Sequence, residues 1–247
     1  MTEPIASAST APAPDEKASI WEDFIDIFGS PARVFRRREF GSWFIPMVIV
    51  TIALTVLAFT NAGVLRPVYD AEFQRQAATV MQKNPQVTEE MLQKGRAFGE
   101  IAQRFGTIVV TPIMILVVGF ITWLVGKLVD SRQELHAALV VAAYAMVPRI
   151  LQSIAYGVEG LVMKPDQLTS LSGITFSAAR FLNPDSTSPV LIAALSRVDL
   201  FTIWVTVLLG IGLYVTGRIS KVRASIAAVI IWIIGGLPAL LGGLRQA

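Results

Sequence analysis

Residues 44–65 read FIPMVIVTIALTVLAFTNAGVL, an unbroken run without a single Asp, Glu, Lys or Arg. A hydrocarbon core about 30 Å thick is crossed by roughly 20 helical residues rising about 1.5 Å each, so this run predicts a transmembrane helix. Four more stretches meet the same requirement, at 107–129, 135–162, 198–215 and 225–244. Trp43, Trp123, Trp204 and Tyr214 fall at or near their ends, where amphipathic rings favour the headgroup layer. The whole 247-residue chain agrees: 53% of it is hydrophobic and 16% charged, with a mean hydropathy of +0.59. A soluble domain carries about 25% charge, so these charges are too few to cover a globule of this size. The predicted class is all-α, an integral membrane bundle of five transmembrane helices spanning 44–247, whose first partner is the lipid bilayer.

Outside the spans, residues 1–18 are rich in Ala, Ser, Thr and Pro and lack an apolar run, which predicts a disordered tail rather than a signal peptide. Residues 19–43 read as two interfacial amphipathic helices. In the first, Ile20, Trp21, Phe24, Ile27 and Phe28 recur at helical spacing, with Glu22, Asp23 and Asp26 expected opposite. Gly29 can end it, Ser30 can cap the next, and Pro31 suits that helix's first position. The second carries Val34 and Phe35 beside Arg33, Arg36, Arg37 and Arg38. Simple attachment to the membrane surface is one reading of this segment. The other is a docking site for a protein partner through Trp21, Phe24, Phe28, Arg36, Arg37 and Arg38, favoured by acids that discourage attraction to anionic lipid. The loop 66–105 predicts two helices broken at Asn84-Pro85, with Thr88 as a cap and Met91, Phe98, Ile101 and Phe105 along one face. Within 164–197, Ser188-Pro189 predicts the start of a short apolar helix.

Lys and Arg in the connecting segments divide ten and ten between the two sides. Their density does not: Arg36 to Arg38 immediately precede the first span, and three bases crowd Arg218 to Arg223. That asymmetry predicts a cytoplasmic N-terminus. The net charge of +3, scattered around apolar spans, gives no expectation of nucleic-acid binding.

The third span carries the most informative polar residues. Arg149, Gln152, Ser153 and Tyr156 stand at i, i+3, i+4 and i+7 and share one helix face, and Pro148 can kink the helix just before them. A charge at membrane depth costs at least about 2.5 kcal/mol on insertion scales, so Arg149 is expected to face protein or water. It either builds a polar pathway with its three neighbours or pairs structurally with Asp199 or Glu159. Asp199 has a local explanation too, because Ser196-Arg197-Val198-Asp199 has the outline of a helix-capping box. Small residues, among them Ala138, Ala142, Gly210, Gly212, Gly217, Gly235, Gly236, Gly242 and Gly243, permit close helix contact, whether within the chain or between copies.

Catalytic signals are lacking in the sequence. There is no cysteine, and the one histidine, His136, stands two residues from Glu134, on opposite sides of a helix. The glycines at 119 and 126 before Lys127 are spaced wrongly for a phosphate loop, and neither G-x-S-x-G nor H-E-x-x-H occurs. The expectation is a protein without cofactor, metal or enzymatic activity.

Four segments together carry a resemblance: Phe28-Gly-Ser-Pro31-Ala-Arg-Val-Phe35, Ala143-Tyr-Ala-Met-Val-Pro148, Asp199-Leu-Phe-Thr-Ile-Trp204 and Gly212-Leu-Tyr-Val-Thr-Gly217. Over about 21–244 the chain resembles the Yip family, named for Ypt/Rab-interacting proteins. The resemblance implies a five-helix membrane fold with a cytoplasmic N-terminus. Eukaryotic relatives are associated with vesicle traffic and small GTPases, and some prokaryotic ones with assisting membrane complexes such as transporters. No catalytic residue carries over. The functional expectation is therefore a multi-pass scaffold or accessory protein in a prokaryotic plasma membrane, with a membrane-protein partner or self-association. The alternative is a small-solute transporter or channel using the stripe on the third span.

Overall fold

The computed structural model describes residues 18–164, 168 and 170–246, with the side chains of 97, 98, 100–104 and 246 excepted. All but one residue of the expected tail at 1–18 lies outside this set. Two helices open the fold, α1 (Ile20–Gly29) and α2 (Pro31–Arg38), followed by α3 (Phe44–Val64), α4 (Arg66–Lys83) and α5 (Glu89–Leu128). Then come α6 (Leu135–Ala145), α7 (Pro148–Val162), the one-turn α8 (Leu171–Ile174), α9 (Pro189–Ser196), α10 (Leu200–Gly217) and α11 (Lys221–Gln246). Five helical stretches are long and apolar enough to cross a membrane: Phe44–Val64, Phe105–Leu128, Leu135–Val162, Leu200–Gly217 and Lys221–Arg245. The molecule is an all-α integral membrane bundle.

Local chemistry sets most element ends. Thr88 accepts from the Met91 amide and starts α5, and Ser188 accepts from the Leu191 amide with Pro189 opening α9. The third span breaks where Pro148 cannot donate to the carbonyl four residues back. There the Val147, Arg149 and Ile150 amides drop to carbonyls three residues back, and α6 gives way to α7. At the far end of α10, Arg218 takes a left-handed φ of 53° and stops the helix.

The third and fourth spans are the centre of the bundle: 56% of each apolar stretch is buried, against 22%, 22% and 28% for the first, second and fifth. Small residues mark the crossings. A Cβ on Gly212 would run into Val141 of α6, one on Gly119 of α5 would meet Leu139, and one on Gly210 would meet Ala228 of α11 at 3.1 Å. Gly160 of α7 faces Val64 and Leu65 at the end of α3. These glycines serve packing inside the chain, as Ala138 and Ala142 do at zero exposure; Gly242 meets no atom within 4 Å.

The 40-residue α5 is about 60 Å long, twice the hydrocarbon thickness. Its first turns therefore project beyond the membrane as a hairpin with α4. Met91 and Phe105 on this arm are exposed, Phe105 sitting edge-on to Phe59, while the Phe98 and Ile101 side chains lie outside the described set. Arg96 pairs with Asp70 and stacks 4.9 Å over Phe73, and Arg75 holds Asp185 at 2.7 Å, anchoring the arm to the segment before α9.

Candidate functional site

Among the described residues, the α1–α2 hairpin and the polar face of α7 are places where polarity combines with burial. The hairpin begins with a capping box, in which Ser19 accepts from the Glu22 amide and Glu22 accepts from the Ser19 amide. Ser30 donates its amide to the Asp26 carbonyl, and Pro31 starts α2. Ile27, Val34 and Phe35 are fully buried against the bundle. Phe28 meets Trp204 of α10 edge-on at 5.3 Å, and Phe24 meets Tyr144 of α6 at 5.9 Å.

Asp23 departs from the expected pattern. It was expected on the polar side with Glu22 and Asp26, yet its exposure is 0%. It lies one turn before Ile27 on the face that meets the bundle. Its two oxygens accept from Nε of Arg37 and Nε of Arg38, each at 2.5 Å, and from the Tyr144 hydroxyl at 3.2 Å. Arg37 also reaches Asp26 at 2.8 Å, and Arg38 the Ala18 carbonyl at 2.6 Å. Burial works against the Arg37 charge, but hydrogen bonds to Asp26 and Asp23 outweigh it and hold its pKa above the ordinary arginine value. Of the six expected partner contacts, Phe24 and Phe28 thus hold the hairpin to the bundle, and Arg37 and Arg38 tie α2 back to α1. Trp21 and Arg36 stay exposed. Ile25, one turn from Trp21, joins them on the outer side. Apolar periodicity missed Asp23 because its partners lie 14 and 15 residues away; the run of three arginines was the available signal.

On α7, Arg149 donates to Gln152 Oε1 at 2.6 Å and to Thr202 Oγ1 at 3.2 Å. Gln152 donates to the Tyr156 hydroxyl at 2.7 Å and more weakly to Asp199 Oδ1 at 3.4 Å. Arg149 therefore reaches Asp199 through Gln152. Glu159, the other expected partner, is instead held in a bidentate pair by Arg180, at 3.0 and 2.9 Å. Ser153 stands outside that hydrogen-bond chain: its carbonyl accepts from Asn61 Nδ2 at 2.7 Å and its hydroxyl more weakly at 3.4 Å, beside Gly157, where any side chain would strike Asn61. Asn61, Ser153 and Tyr156 line a cavity of ≈ 390 Å³ together with Thr107, Arg66 and Asp70.

The capping box expected at Ser196–Asp199 does not form. Asp199 itself caps α10, accepting from the Thr202 amide at 2.9 Å, while Ser196 is the last residue of α9 and donates to the Ile192 carbonyl. The reason lies in the backbone, since Asp199 is extended and bridges to Ser177. That bridge seats Phe176 parallel to Tyr156, 6.3 Å between centroids, and edge-on to Phe201. The other oxygen of Asp199 is buried with no partner among the described residues. Arg197, the neighbouring cation, donates to the Trp232 carbonyl at 2.7 Å and lies against Gly235 and Gly236. Burial first, and then the Arg149 charge, lower its pKa, with Asp199 opposing. His136 bonds the Gly41 carbonyl at 2.8 Å, tying the entrance of α3 to α6.

Comparison with known proteins adds one positive finding: the family model of the Yip1 domain matches residues 25–242. No curated protein and no solved structure matches the chain.

Proposed function

The chain belongs to the Yip1 domain family, and from that premise we propose that it is a non-enzymatic scaffold or accessory protein of a membrane complex. In this reading it resides in a prokaryotic plasma membrane with its N-terminus in the cytoplasm, as the density of arginines before the first span favours. The observation that carries the reading is the two-sidedness of α1. One side meets the bundle through Phe24, Ile27 and the Tyr144 hydroxyl on Asp23, while Trp21 and Ile25, one turn apart on the other, are 67% and 72% exposed. A rigid pair of large apolar side chains held outward is the kind of anchor around which interfaces concentrate their binding energy.

The test is gentle detergent extraction at native expression level, with cross-linking and identification of whatever co-purifies. A stoichiometric membrane protein is expected with the native chain and is lost from Trp21→Ser/Ile25→Ser, whose melting temperature stays within a few degrees. Phe24 and Phe28 are unsuitable for this purpose because they pack on Tyr144 and Trp204. Isolation of the native chain without a partner, or full recovery of the partner by the double variant, rules the reading out.

A second reading, transport of a small solute, is supported by the cavity that Asn61, Ser153 and Tyr156 line. It predicts solute flux in reconstituted vesicles that Ser153→Leu blocks. Vesicles tight to ions and small anions would remove it.

A further inference from the structure

A groove of ≈ 950 Å³ runs between α2, α10 and α11, on a different side of the bundle from the polar face of α7. Its walls are apolar, among them Ile203, Val207, Ile211 and Val229, with Trp232 at the far end. Its floor is low because Gly210, Ala224 and Ala228 let α10 and α11 approach closely. Three cations complete the lining: Arg33 and Arg36, one turn apart on α2, and Lys221, the first residue of α11. No acid lines it. Of the acids nearby, Asp26 is engaged with Arg37 and Asp130 with Arg223. Arg33 gives one hydrogen bond to Ser30, whereas Arg36 and Lys221 make no ion pair with any described residue.

We propose that this groove binds one anionic phospholipid from the leaflet on the α1–α2 side, with its phosphate among Arg33, Arg36 and Lys221 and an acyl chain along α10 and α11. The dimensions fit. Lys221 and Trp232 are eleven residues apart on one helix, roughly 16 Å, which is about half the hydrocarbon thickness and the depth of a single leaflet. Walls facing lipid cost nothing when covered by acyl chain, whereas three unpaired cations at the membrane edge gain by pairing with a phosphate. Basic pockets between transmembrane helices serve that chemistry in general. The acyl-lined walls and single-leaflet depth favour a lipid over a second copy of the chain or its own residues 1–17. This inference does not rest on the scaffold reading, whose anchors Trp21 and Ile25 lie outside the groove, although Arg36 lines it.

The experiment uses the full chain in mild detergent, titrated with phosphatidylglycerol or with phosphatidylcholine of the same acyl chains, with bound lipid counted by native mass spectrometry. One phosphatidylglycerol per chain is expected, preferred over phosphatidylcholine. Removing the charges in Arg33→Gln/Arg36→Gln/Lys221→Gln should weaken it by about fivefold per charge, roughly a hundredfold in all. Lys221→Arg should retain it. Val207→Trp, a change at a half-exposed wall position, should exclude it and keeps the question decidable if the triple variant misfolds. Equal binding of the two lipids, or undiminished binding by the triple variant and by Val207→Trp, would overturn the proposal. So would cross-links placing residues 1–17 or a second chain in the groove of the lipid-titrated protein.

Discussion

Replacing Asp23 by Asn should loosen α1 from α2 and from Tyr144 without dissolving the five-helix bundle. The carboxylate is fully buried and takes hydrogen bonds from Arg37, Arg38 and Tyr144. Losing one partner of a buried ion pair typically costs about 3–5 kcal/mol, because the opposite charge is left desolvated. Here each arginine keeps a fallback, Arg37 in Asp26 and Arg38 in the Ala18 carbonyl, and their side chains remain 14% and 27% exposed. The expected cost is therefore about 3 kcal/mol, the low end of that range. Since about 1.4 kcal/mol is a factor of ten, the population with α1 detached should rise roughly a hundredfold. Hydrogen exchange reads this directly: the amides of residues 20–29 should exchange about a hundred times faster, while those of α2, whose Val34 and Phe35 are buried on the bundle, and of α10 stay protected. Glu39→Gln is the matched control, since Glu39 closes α2 and makes no ion pair with any described residue. Tyr144→Phe should fall between the two, because it removes one long hydrogen bond to a charged group, worth about 1.5 kcal/mol. If Asp23→Asn accelerates exchange no more than Glu39→Gln does, the buried ion cluster is not what holds α1.

Other outcomes follow from the same geometry. Gly212→Ala puts a Cβ onto Val141 and should lower stability in detergent unfolding by about 1–3 kcal/mol, whereas Gly242→Ala, with open space around it, should be neutral or gain up to about 1 kcal/mol. Asp199→Ala should cost at least the roughly 1 kcal/mol of a lost helix cap, with Ser196→Ala within a few tenths; equal effects would restore Ser196 as the cap. Thr88→Ala should loosen the first turn of α5 by about 1 kcal/mol, visible as faster exchange confined to that end of the projecting arm.

Much of the fold was legible because it depends on short-range chemistry. Apolar runs about as long as the hydrocarbon core is thick identify the spans, since a helix in lipid must satisfy its backbone internally. Proline at 148, threonine at 88 and the Ser188-Pro189 pair mark breaks and starts through hydrogen bonds made within four residues. The candidate site was only partly legible. The helical spacing of Arg149, Gln152 and Tyr156 foretold a shared face, and those three meet in a chain of hydrogen bonds. Ser153 shares that face nominally, but its partner, Asn61, lies 92 residues away.

The sequence alone therefore determines five membrane helices, two short helices before them and a helical arm between the first two spans. Each of these follows from burial length, caps and prolines acting on near neighbours. The tertiary structure decides which charges meet and which surfaces remain open. It turns Asp23 inward toward Arg37 and Arg38, gives Glu159 to Arg180 instead of Arg149, aims the glycines of α10 at α6 and α11, and leaves Arg33, Arg36 and Lys221 around one groove. Those outcomes depend on how helices cross, and helix crossings join residues that no local pattern connects.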